Sequence, residues 1–466
     1  MCLVGDRRSA SRLALRSLAV LVASLVAGVG SSNPVPQQGA ARVDDVGVVL
    51  VILDAAGAPY LGAYGNHLPT SPNIDKLART AGGTVFERAY AQSAWTLPSM
   101  ASLFTGRYPP RRAQTRTVVA GDTLATLLHE VGLQTAAFSE SPYVTAERGF
   151  ARGFDVFHEY FPKRLFDHDD RFYRADNARA TEDAIAWVEA YRHGRFFLYL
   201  HLLAPHSPYL PPPPFKGRFD PSYTGTFEGV TDTLLRINDG TLHPSDRDLE
   251  HLRLAYEENL AYGDHLVGRL FDTLRRTRVL DRSIVIVAAD HGEGFREHGW
   301  MLHTTTLFEE MIHVPLVIRF PPRFGRLPNR WDGIVELRDI VPTVCDALRL
   351  SCDSADPSRS LLRRLRTPDT GEGVARAWTN DGVRALGALV TGRYKLVMDM
   401  AEHRLALYAL ADDPREVHDL AGTERPLAIR LARRLRGARG EGALSSGKYS
   451  VSPAAARALR ALGYTE

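Results

Sequence analysis

Two long, unbroken apolar runs constrain the fold of this chain more than any other feature. They read VGVVLVILD over residues 46–54 and SIVIVAAD over residues 283–290. Continuous β-branched runs without polar alternation are typical of strands buried on both faces of a parallel sheet. The two runs therefore predict two central strands, each ending in a carboxylate.

Other segments alternate between strand-like and helix-like patterns. Further strands are predicted at residues 84–91, 134–138, 196–203 and 316–320, and helices at residues 71–80, 122–131, 178–191, 246–276 and 338–348. Such alternation predicts an α/β fold in which a mostly parallel sheet is covered by helices on both faces. Residues 220–245 are polar and rich in turn formers, which predicts a surface excursion.

The C-terminal part of the chain changes character. Short strands are predicted at residues 384–398 and 403–409, followed by a helix from about residue 427, which together indicate a small α+β subdomain. The length of 466 residues is enough for one domain of several hundred residues and a small satellite. We therefore expect a main domain over residues 46–350 and the α+β subdomain over residues 378–466.

Residues 1–30 have the layout of a secretory signal peptide. Arginines precede an apolar run from Leu18 to Val29, and small residues follow it. The run is short for a membrane span, which needs about 20 residues, although an uncleaved N-terminal anchor is the alternative. With residues 31–45 as a linker, we expect an exported protein that is periplasmic, secreted or envelope-anchored.

Three cysteines occur in the chain, and Cys2 lies in the predicted signal segment. Cys345 and Cys352 are close in sequence, so in an exported protein they could form one local disulfide. The alternative is two separate thiols, and the spacing alone does not decide between them.

The charge balance excludes one class of partner. The formal net charge is +3, and no basic block is interleaved with aromatic residues. Proteins that bind nucleic acids concentrate lysine and arginine in such patches. We therefore expect no nucleic-acid partner.

Metal-ligand residue types follow both central strands. Asp54 ends the first run, and Asp290 and His291 end the second. Open α/β sheets bind ligands at the carboxyl ends of their strands. Carboxylate and imidazole groups bind Mg, Mn, Ca or Zn, and without a thiolate the choice among these ions stays open. The sequence therefore predicts one divalent metal ion held by these three residues.

Thr96 lies in the segment SAWTLPSMASLFTG, residues 93–106. Pro98 is tolerated in the first turn of a helix, so Thr96 is predicted at or next to a helix N-terminus. The backbone N–H groups there suit an anion, and they suit a nucleophile that attacks an anionic ester. The alternative interpretation is that Thr96 only caps the helix.

Two histidines are candidates for contact with such an ester. His206 lies in APHSPY, after a predicted strand, and His303 lies twelve residues after His291. Imidazole groups can hydrogen-bond the outer oxygens of an ester or serve its leaving group. The alternative is that each histidine is an ordinary surface or core residue.

Ordered motifs along nearly the whole mature chain resemble the sulfatase family, within the alkaline-phosphatase-like superfamily. They are VLVILDAAGAPYLGAYG with PTSPNIDKLA, TLPSMASLFTGRYPPRR at the nucleophile motif, HLLAPHSPY, VAADHGEGFREHGWMLHTTTLFEEMIHVPLVIR, RDIVPTVCDAL, GRYKLV, ALYALADDPREVHDLAG and the closing ALRALGY. The resemblance implies a three-layer α/β/α sandwich around a mostly parallel sheet, followed by a smaller C-terminal sheet with a helix. Residues 46–350 would then be the catalytic domain.

The resemblance also implies roles for individual residues. Asp54, Asp290 and His291 would be metal ligands, and Thr96 would be both nucleophile and fourth ligand. His206 and His303 would contact the ester.

Five positions depart from the pattern of the family. Thr96 stands where sulfatases carry the Cys or Ser that becomes formylglycine, and Met100 replaces the motif arginine. Ala55 replaces a second aspartate, Ala204 stands where an aspartate is frequent, and His303 stands near a common lysine. Threonine cannot become the aldehyde, and a threonine sulfate ester lacks the exit that the aldehyde hydrate provides. A phosphothreonine can be opened by attack at phosphorus, which suggests phosphoester chemistry.

These observations leave three hypotheses. The first is an exported, metal-dependent hydrolase of sulfate or phosphate esters, acting on a small-molecule, glycan or lipid ester. The second is a transferase that moves a phospho group onto an envelope lipid or glycan. The third is a non-catalytic pseudo-sulfatase that binds an anionic glycan. Membrane contact is expected only if residues 1–30 remain as an anchor.

Overall fold

The computed structural model describes most of the chain after residue 45. The described residues are 46–110, 117–161, 177–352, 356–367, 373–380, 384–437, 443–446, 456 and 459. The predicted signal peptide or anchor at residues 1–30 and the predicted linker at residues 31–45 lie outside them. Among the described helices, none is long and apolar enough to cross a membrane.

The described residues form sixteen strands and ten helices. In chain order, the strands are β1 (Gly47–Leu53), β2 (Gly83–Tyr90), β3 (Thr117–Val119), β4 (Gln134–Ser139), β5 (Val156–Glu159), β6 (Phe196–Leu202), β7 (Ser283–Ala288), β8 (Gly294–Phe295), β9 (Met301–Leu302), β10 (Leu316–Arg319), β11 (Arg330–Glu336), β12 (Ala375–Asn380), β13 (Ala385–Val390), β14 (Lys395–Asp399), β15 (Leu405–Tyr408) and β16 (Leu444–Ser446). The helices are α1 (Pro72–Arg79), α2 (Thr96–Thr105), α3 (Leu124–Glu130), α4 (Asn177–Tyr191), α5 (Thr231–Asn238), α6 (Asp246–Arg276), α7 (Glu309–Ile312), α8 (Ile340–Leu348), α9 (Leu361–Arg366) and α10 (Arg425–Gly437).

Eight strands form the central sheet, in the order β11-β2-β10-β7-β1-β6-β4-β5. Neighbouring strands run parallel except at β10, which is antiparallel to both β2 and β7. Every residue of β1, β6 and β7 is buried. Burial of one Val, Leu or Ile side chain contributes about 1.5–3 kcal/mol, so the apolar runs stabilise the middle of the sheet. The prediction of a mostly parallel central sheet is confirmed.

Helices cover both faces of this sheet. Trp187 of α4 packs against Phe196, and Phe104 of α2 packs against Tyr199. Positions 196 and 199 of β6 point to opposite faces, because successive side chains of a strand alternate. The arrangement is therefore the three-layer α/β/α sandwich that the resemblance implied.

The register of the strands aligns their carboxyl ends. Leu53 of β1 pairs with Leu202 of β6, and Ile52 of β1 pairs with Ala288 of β7. Residues that follow β1 and β7, together with the last residues of β6, therefore lie at the same edge of the sheet. This edge carries the candidate active site.

The expected surface excursion at residues 220–245 is only partly as predicted. It contains α5, whose Leu234 and Ile237 are buried in a small apolar cluster with β8 and β9. The two apolar residues are three positions apart, which places them on one face of a helix. Because most of the surrounding residues are polar, the sequence pattern hid this short helix.

The C-terminal part forms a second, antiparallel sheet in the order β12-β13-β14-β15. Helix α10 packs on this sheet through Leu431, Ala432 and Leu435. The predicted small α+β subdomain is thus present, and β12 is a strand that the sequence reasoning did not identify.

Cys345 and Cys352 are joined by a disulfide, with their Cα atoms 6.3 Å apart. The bond links the end of α8 to the segment that follows it. Of the two alternatives that the sequence left open, the structure has the local disulfide.

Candidate active site

Asp54 is the first residue after β1, and it is buried. Its backbone N–H donates to the Leu202 carbonyl at 3.0 Å, which extends the β1–β6 pairing by one residue. Oδ2 accepts a hydrogen bond from His201 Nε2 at 3.0 Å. Oδ1 is buried and has no hydrogen-bond partner in the described part of the chain. One oxygen of this carboxylate is therefore left for a further ligand.

Asp290 and His291 follow β7 at the same edge of the sheet. Asp290 Oδ1 accepts from the backbone N–H groups of Ala55 at 3.1 Å and His291 at 3.0 Å. Its Oδ2 is buried without a hydrogen-bond partner among the described residues. His291 Nδ1 donates to the Gly292 carbonyl at 2.9 Å, so in the neutral ring Nε2 carries the lone pair.

The three side chains converge on one point, and we call Asp54, Asp290 and His291 the metal cradle. His291 Nε2 lies 3.6 Å from Asp54 Oδ1 and 3.4 Å from Asp290 Oδ2. One ligand atom from each residue lies within 4.8 Å of the others. Asp54 Oδ1 and Asp290 Oδ2, the two carboxylate oxygens without partners among the described residues, and His291 Nε2 are the candidate ligand atoms.

The electrostatics of the cradle fit a divalent cation. Burial raises the pKa of the Asp54 carboxyl well above its usual range, and the Asp290 carboxylate raises it further. Two buried carboxylates side by side are costly unless a positive charge compensates them. The donor set of carboxylate oxygens and an imidazole nitrogen is one that Mn or Zn accepts. The residues present therefore fit one divalent ion.

Thr96 is the first residue of α2, and its side chain is buried beside the metal cradle. Its Oγ1 lies 3.2 Å from His291 Nε2. Trp95 occupies the cap position, so Thr96 is not the helix cap that the alternative interpretation required. Ser99, one turn further on, donates through Oγ to the Asp290 carbonyl at 2.5 Å and fixes α2 against the end of β7.

His206 and His303 stand next to this group. The His303 ring lies 4.3 Å from the His291 ring and 4.8 Å from the His206 ring, measured between centroids. His206 Nδ1 donates to the Ser207 carbonyl at 2.7 Å. Burial, followed by the neighbouring His303, lowers the pKa of His206 to about 3. Burial and the neighbouring His291 also lower the pKa of His303 well below its usual value.

The structure thus brings together all six side chains that the sequence singled out, while their roles stay predictions. It also adds residues that the sequence reasoning missed. Glu293 Oε1 accepts from His303 Nδ1 at 2.9 Å, and burial raises the pKa of Glu293 to about 7. His201, which contacts Asp54, lies inside an apolar strand next to Tyr199. The available signals were the polar residues at alternate positions of β6 and the acid two residues after His291.

Three of the departures from the family pattern lie in apolar or strained surroundings. Met100 is fully buried in the main core. Ala204 is buried opposite Gly263 of α6. Ala55 is buried with φ of 60°, and its carbonyl accepts from the Tyr256 hydroxyl at 2.9 Å. Apolar packing therefore surrounds Met100 and Ala204, where the family pattern has polar or charged side chains.

The fold and the site define an ester hydrolase of the alkaline-phosphatase-like type. The sequence profile of the Sulfatase family matches residues 47–350, which is more than half of the chain. The chain therefore belongs to the sulfatase family.

Relatives with the same family name match over most of their length. Arylsulfatase K of Mus musculus is 24% identical, with 90% of this chain and 84% of that protein covered. Iduronate 2-sulfatase of Homo sapiens is 26% identical, with 69% of this chain and 67% of that protein covered. The chain is similar to these proteins, and it is a sulfatase-like hydrolase.

A solved structure has the same fold at low sequence identity. The phosphonate monoester hydrolase of Silicibacter pomeroyi superposes with a TM-score of 0.69 and 21% identity, over 84% of this chain and 94% of that chain. At this identity the likeness shows the fold alone.

Proposed function

We propose that this chain is an exported, metal-dependent hydrolase of phosphate or sulfate esters, with Thr96 as the nucleophile and phosphoesters as the preferred class. One observation carries the proposal. Thr96 Oγ1 lies 3.2 Å from His291 Nε2, a member of the metal cradle, and Thr96 is in the first turn of α2. This is the place of the formylglycine precursor in the sulfatase resemblance, and threonine cannot supply that aldehyde.

The cradle residues Asp54, Asp290 and His291 would hold a divalent ion, with Thr96 as a fourth ligand. When bound, such an ion neutralises the two carboxylates, lowers the pKa of an alcohol and shields the charge of an anionic ester.

The protein's own residues account for the reaction as follows. Thr96 Oγ1 gives up its proton to solvent water and forms a bond to phosphorus, while the bond from phosphorus to the leaving alcohol oxygen breaks. The departing oxygen takes up a proton, and His206 and His303 stand where they can hydrogen-bond it or the outer oxygens. Water then attacks phosphorus and gives up one proton, while the bond from phosphorus to Oγ1 breaks and Oγ1 takes up a proton, which restores the threonine hydroxyl.

His303 and Glu293 act as a pair in this account. The Nδ1–H of His303 donates to the Glu293 carboxylate at 2.9 Å, which fixes the ring with Nε2 on its other side. That orientation directs one ring nitrogen of His303 away from Glu293 and makes the imidazole a fixed hydrogen-bonding group. His206 is held in a similar way by the Ser207 carbonyl.

The substrate is proposed to be a small-molecule, glycan or lipid ester outside the cytoplasm. The family supports an ester substrate, and the Cys345–Cys352 disulfide suits an oxidising compartment. The signal-peptide pattern at residues 1–30 supports export. A phosphonate hydrolase with the same fold is compatible with attack at phosphorus on this scaffold.

Sulfate hydrolysis is the second candidate, because the curated relatives are named as sulfatases. It would require Thr96 to release sulfate without an aldehyde. The other two alternatives are the transferase and the pseudo-sulfatase that binds an anionic glycan. Turnover of simple aryl esters distinguishes a hydrolase from both, since neither would hydrolyse such an ester.

The test compares three aryl substrates with the purified chain: a sulfate ester, a phosphate monoester and a phosphate diester, each with Mn, Mg, Ca or Zn. We expect phosphoester turnover that Thr96→Ala abolishes and Thr96→Ser retains in part, because serine keeps the hydroxyl. Turnover of the sulfate ester alone would contradict the preference for phosphoesters. Full activity of Thr96→Ala with saturating metal would contradict the nucleophile.

A matched control is available in the same helix. Thr105, at the other end of α2, is buried and donates through Oγ1 to the Ala101 carbonyl at 2.7 Å. Thr105→Ala removes the same atoms from the same helix at a distance from the cradle. We expect this variant to keep its turnover, so that a loss in Thr96→Ala is assigned to the site.

A further inference from the structure

Strand β6 contains two polar residues within an otherwise apolar run. Tyr199 and His201 are both fully buried, and they lie two positions apart, so they share one face of the strand. Burying a phenol and an imidazole is unfavourable unless their polar atoms are hydrogen-bonded. In this strand their partners are each other and Asp54.

The hydrogen bonds form a directed chain that ends at the metal cradle. The Tyr199 hydroxyl lies 2.7 Å from His201 Nδ1, and His201 Nε2 lies 3.0 Å from Asp54 Oδ2. With a metal ion bound, the Asp54 carboxylate is ionised and only accepts hydrogen bonds, so Nε2 then carries the hydrogen. Nδ1 of the neutral ring then has a lone pair, and the Tyr199 hydroxyl donates to it.

The hydrogen bonds from Tyr199 through His201 determine which oxygen of Asp54 faces the metal cradle. Rotation about the terminal torsion of an aspartate is broad and nearly two-fold, so an isolated carboxylate has little orientational preference. With Oδ2 bound by His201, Oδ1 is directed toward His291 Nε2, 3.6 Å away. Oδ1 is the oxygen without a partner among the described residues.

The Tyr199 end of this series of hydrogen bonds lies in the core, next to helix α2, which begins at Thr96. The Tyr199 ring packs edge-on against Phe104 of α2, with centroids 5.0 Å apart, and it also contacts Phe154 at 6.3 Å. This packing fixes the position of the Tyr199 hydroxyl. Through the two hydrogen bonds, the orientation of the Asp54 carboxylate then depends on how α2 packs on the sheet.

We infer that Tyr199 and His201 are positioning residues that orient Asp54 through an Nε2–H imidazole, so that its Oδ1 alone faces the metal cradle. The inference rests on the metal site of the proposed function, and it does not rest on turnover of any substrate. A positioning role requires one tautomer of His201, and it requires metal binding to weaken when the residue is replaced. A merely structural role requires neither.

The first test measures zinc binding to the metal-stripped full chain by calorimetry. We expect His201→Leu to weaken zinc binding by about tenfold to a hundredfold, the range typical for loss of a residue that orients a ligand. His201→Gln, whose amide nitrogen can still donate to Asp54, should recover most of this loss. Tyr199→Phe should give an intermediate loss, because it removes the donor that selects the tautomer.

Tyr64→Phe is the matched control for the loss of a buried phenol. The Tyr64 hydroxyl donates to the Phe86 carbonyl at 3.0 Å, and it accepts from the Leu316 N–H at 2.8 Å, at β2 and β10 rather than β6. We expect this variant to lose stability and to keep the native zinc affinity. Circular dichroism and thermal melts of every variant show whether it is folded.

The second test reads the tautomer directly, by nitrogen NMR of the zinc-loaded chain with labelled histidine. His201→Gln identifies the signals of His201 among the 16 histidines. We expect Nε2 to be protonated and Nδ1 to be unprotonated, and we expect Tyr199→Phe to shift the Nδ1 signal. Protonated Nδ1 in the native protein would overturn the inference.

The outcomes separate this inference from the proposed function. If the native chain binds zinc and the folded His201→Leu and Tyr199→Phe variants bind it equally well, the positioning role is wrong while the metal site stands. If the native chain binds no zinc, manganese, magnesium or calcium, the metal site itself is wrong, and the inference falls with it.

Discussion

Single residues of the metal cradle bear on which ion it binds. Asp54 and Asp290 offer carboxylate oxygens, and His291 offers an imidazole nitrogen. Calcium takes roughly six to eight oxygen ligands, whereas imidazole suits zinc. The Ala55 side chain supplies no oxygen ligand at the position where the sulfatase resemblance places a second aspartate. We therefore expect the cradle to bind zinc more tightly than calcium.

Substitution of Ala55 tests this reasoning. Its φ of 60° lies in the left-handed region, which Asp and Asn tolerate better than most residues. We expect Ala55→Asp to tighten calcium binding by about tenfold, because a third carboxylate adds charge and an oxygen ligand. Calorimetry with Ala55→Asn, which has the same shape without the charge, is the control. Equal calcium affinities of the two variants would contradict the prediction.

At the scale of elements, α5 and the β8–β9 hairpin hold His303 in place. Asn238 of α5 donates to the Met301 carbonyl at 3.0 Å and accepts from the Met301 N–H at 2.7 Å. Leu302 and Thr304, on either side of His303, have positive φ values of 66° and 82°. Such backbone strain persists only where surrounding contacts enforce it. The Thr304 N–H donates to the Ala94 carbonyl at 2.9 Å on the other side.

Asn238 is therefore expected to affect catalysis from a distance. We predict that Asn238→Ala lowers kcat/KM by about tenfold, since a lost pair of hydrogen bonds of about 1 kcal/mol each loosens the backbone beside His303. Asn238→Asp keeps the acceptor and loses the donor, so its kcat/KM should lie between that of the native chain and that of Asn238→Ala. Native kcat/KM in Asn238→Ala would show that α5 does not position His303.

Asn329→Ala is the control for this experiment. The Asn329 amide donates to the Gly83 carbonyl at 3.0 Å beside β2, in a different part of the main sheet. Loss of this hydrogen bond should lower the free energy of unfolding by about as much as loss of one of the two Asn238 hydrogen bonds. It should leave kcat/KM unchanged.

At the scale of the whole molecule, a buried charge cluster joins the C-terminal sheet to the main domain. Lys395 of β14 is fully buried, and its Nζ lies 3.0 Å from Glu309 Oε1 and 3.0 Å from Glu416 Oε1. The Glu309 N–H donates to Glu416 Oε2 at 2.6 Å. Two carboxylates share one ammonium group, so the protonation of Glu416 matters for stability.

Stability should therefore depend on pH through Glu416. Burial raises the pKa of Glu416 from 4.5 to about 7. Between these values the folded chain holds a proton that the unfolded chain has lost, so the contribution of Glu416 to the free energy of unfolding falls as pH rises. This contribution is complete below 4.5 and is lost as pH rises through about 7.

Urea unfolding of the native chain and Glu416→Gln, at about pH 5 and about pH 8, measures this effect. We expect the native chain to lose stability relative to the variant as pH rises. Glu402→Gln is the control, since Glu402 is an exposed partner of Arg404 in the same subdomain. A difference between native and Glu416→Gln that is constant with pH would contradict the assignment.

The large elements of the fold could be predicted because their sequence signals are long. β1 and β7 are continuous apolar runs, and α6 begins at a Ser245 cap and ends at Arg276, within the predicted bounds. β3 and β16 have three residues each, too few for any periodicity, and within the described residues they form a two-stranded sheet with each other. Such strands depend on tertiary pairing, which a local pattern does not contain.

The candidate site divides in the same way. Asp54 and Asp290 could be found because a carboxylate at the end of a buried strand is conspicuous. Tyr199 and His201 mark a polar face of β6, but this alternation does not show that His201 lies beside Asp54. Only the register of β1 against β6, with Ile52 opposite His201, brings the two together.

If Thr96 is the nucleophile, a covalent phosphothreonine forms during turnover and can be trapped. The metal-loaded chain is mixed with an aryl phosphate ester, quenched in acid and digested, and the peptide with Thr96 is examined by mass spectrometry. We expect one added phosphoryl group on Thr96 that is absent from Thr96→Ala. Steady turnover of the ester with Thr96 unmodified, and retained by Thr96→Ala, would contradict it.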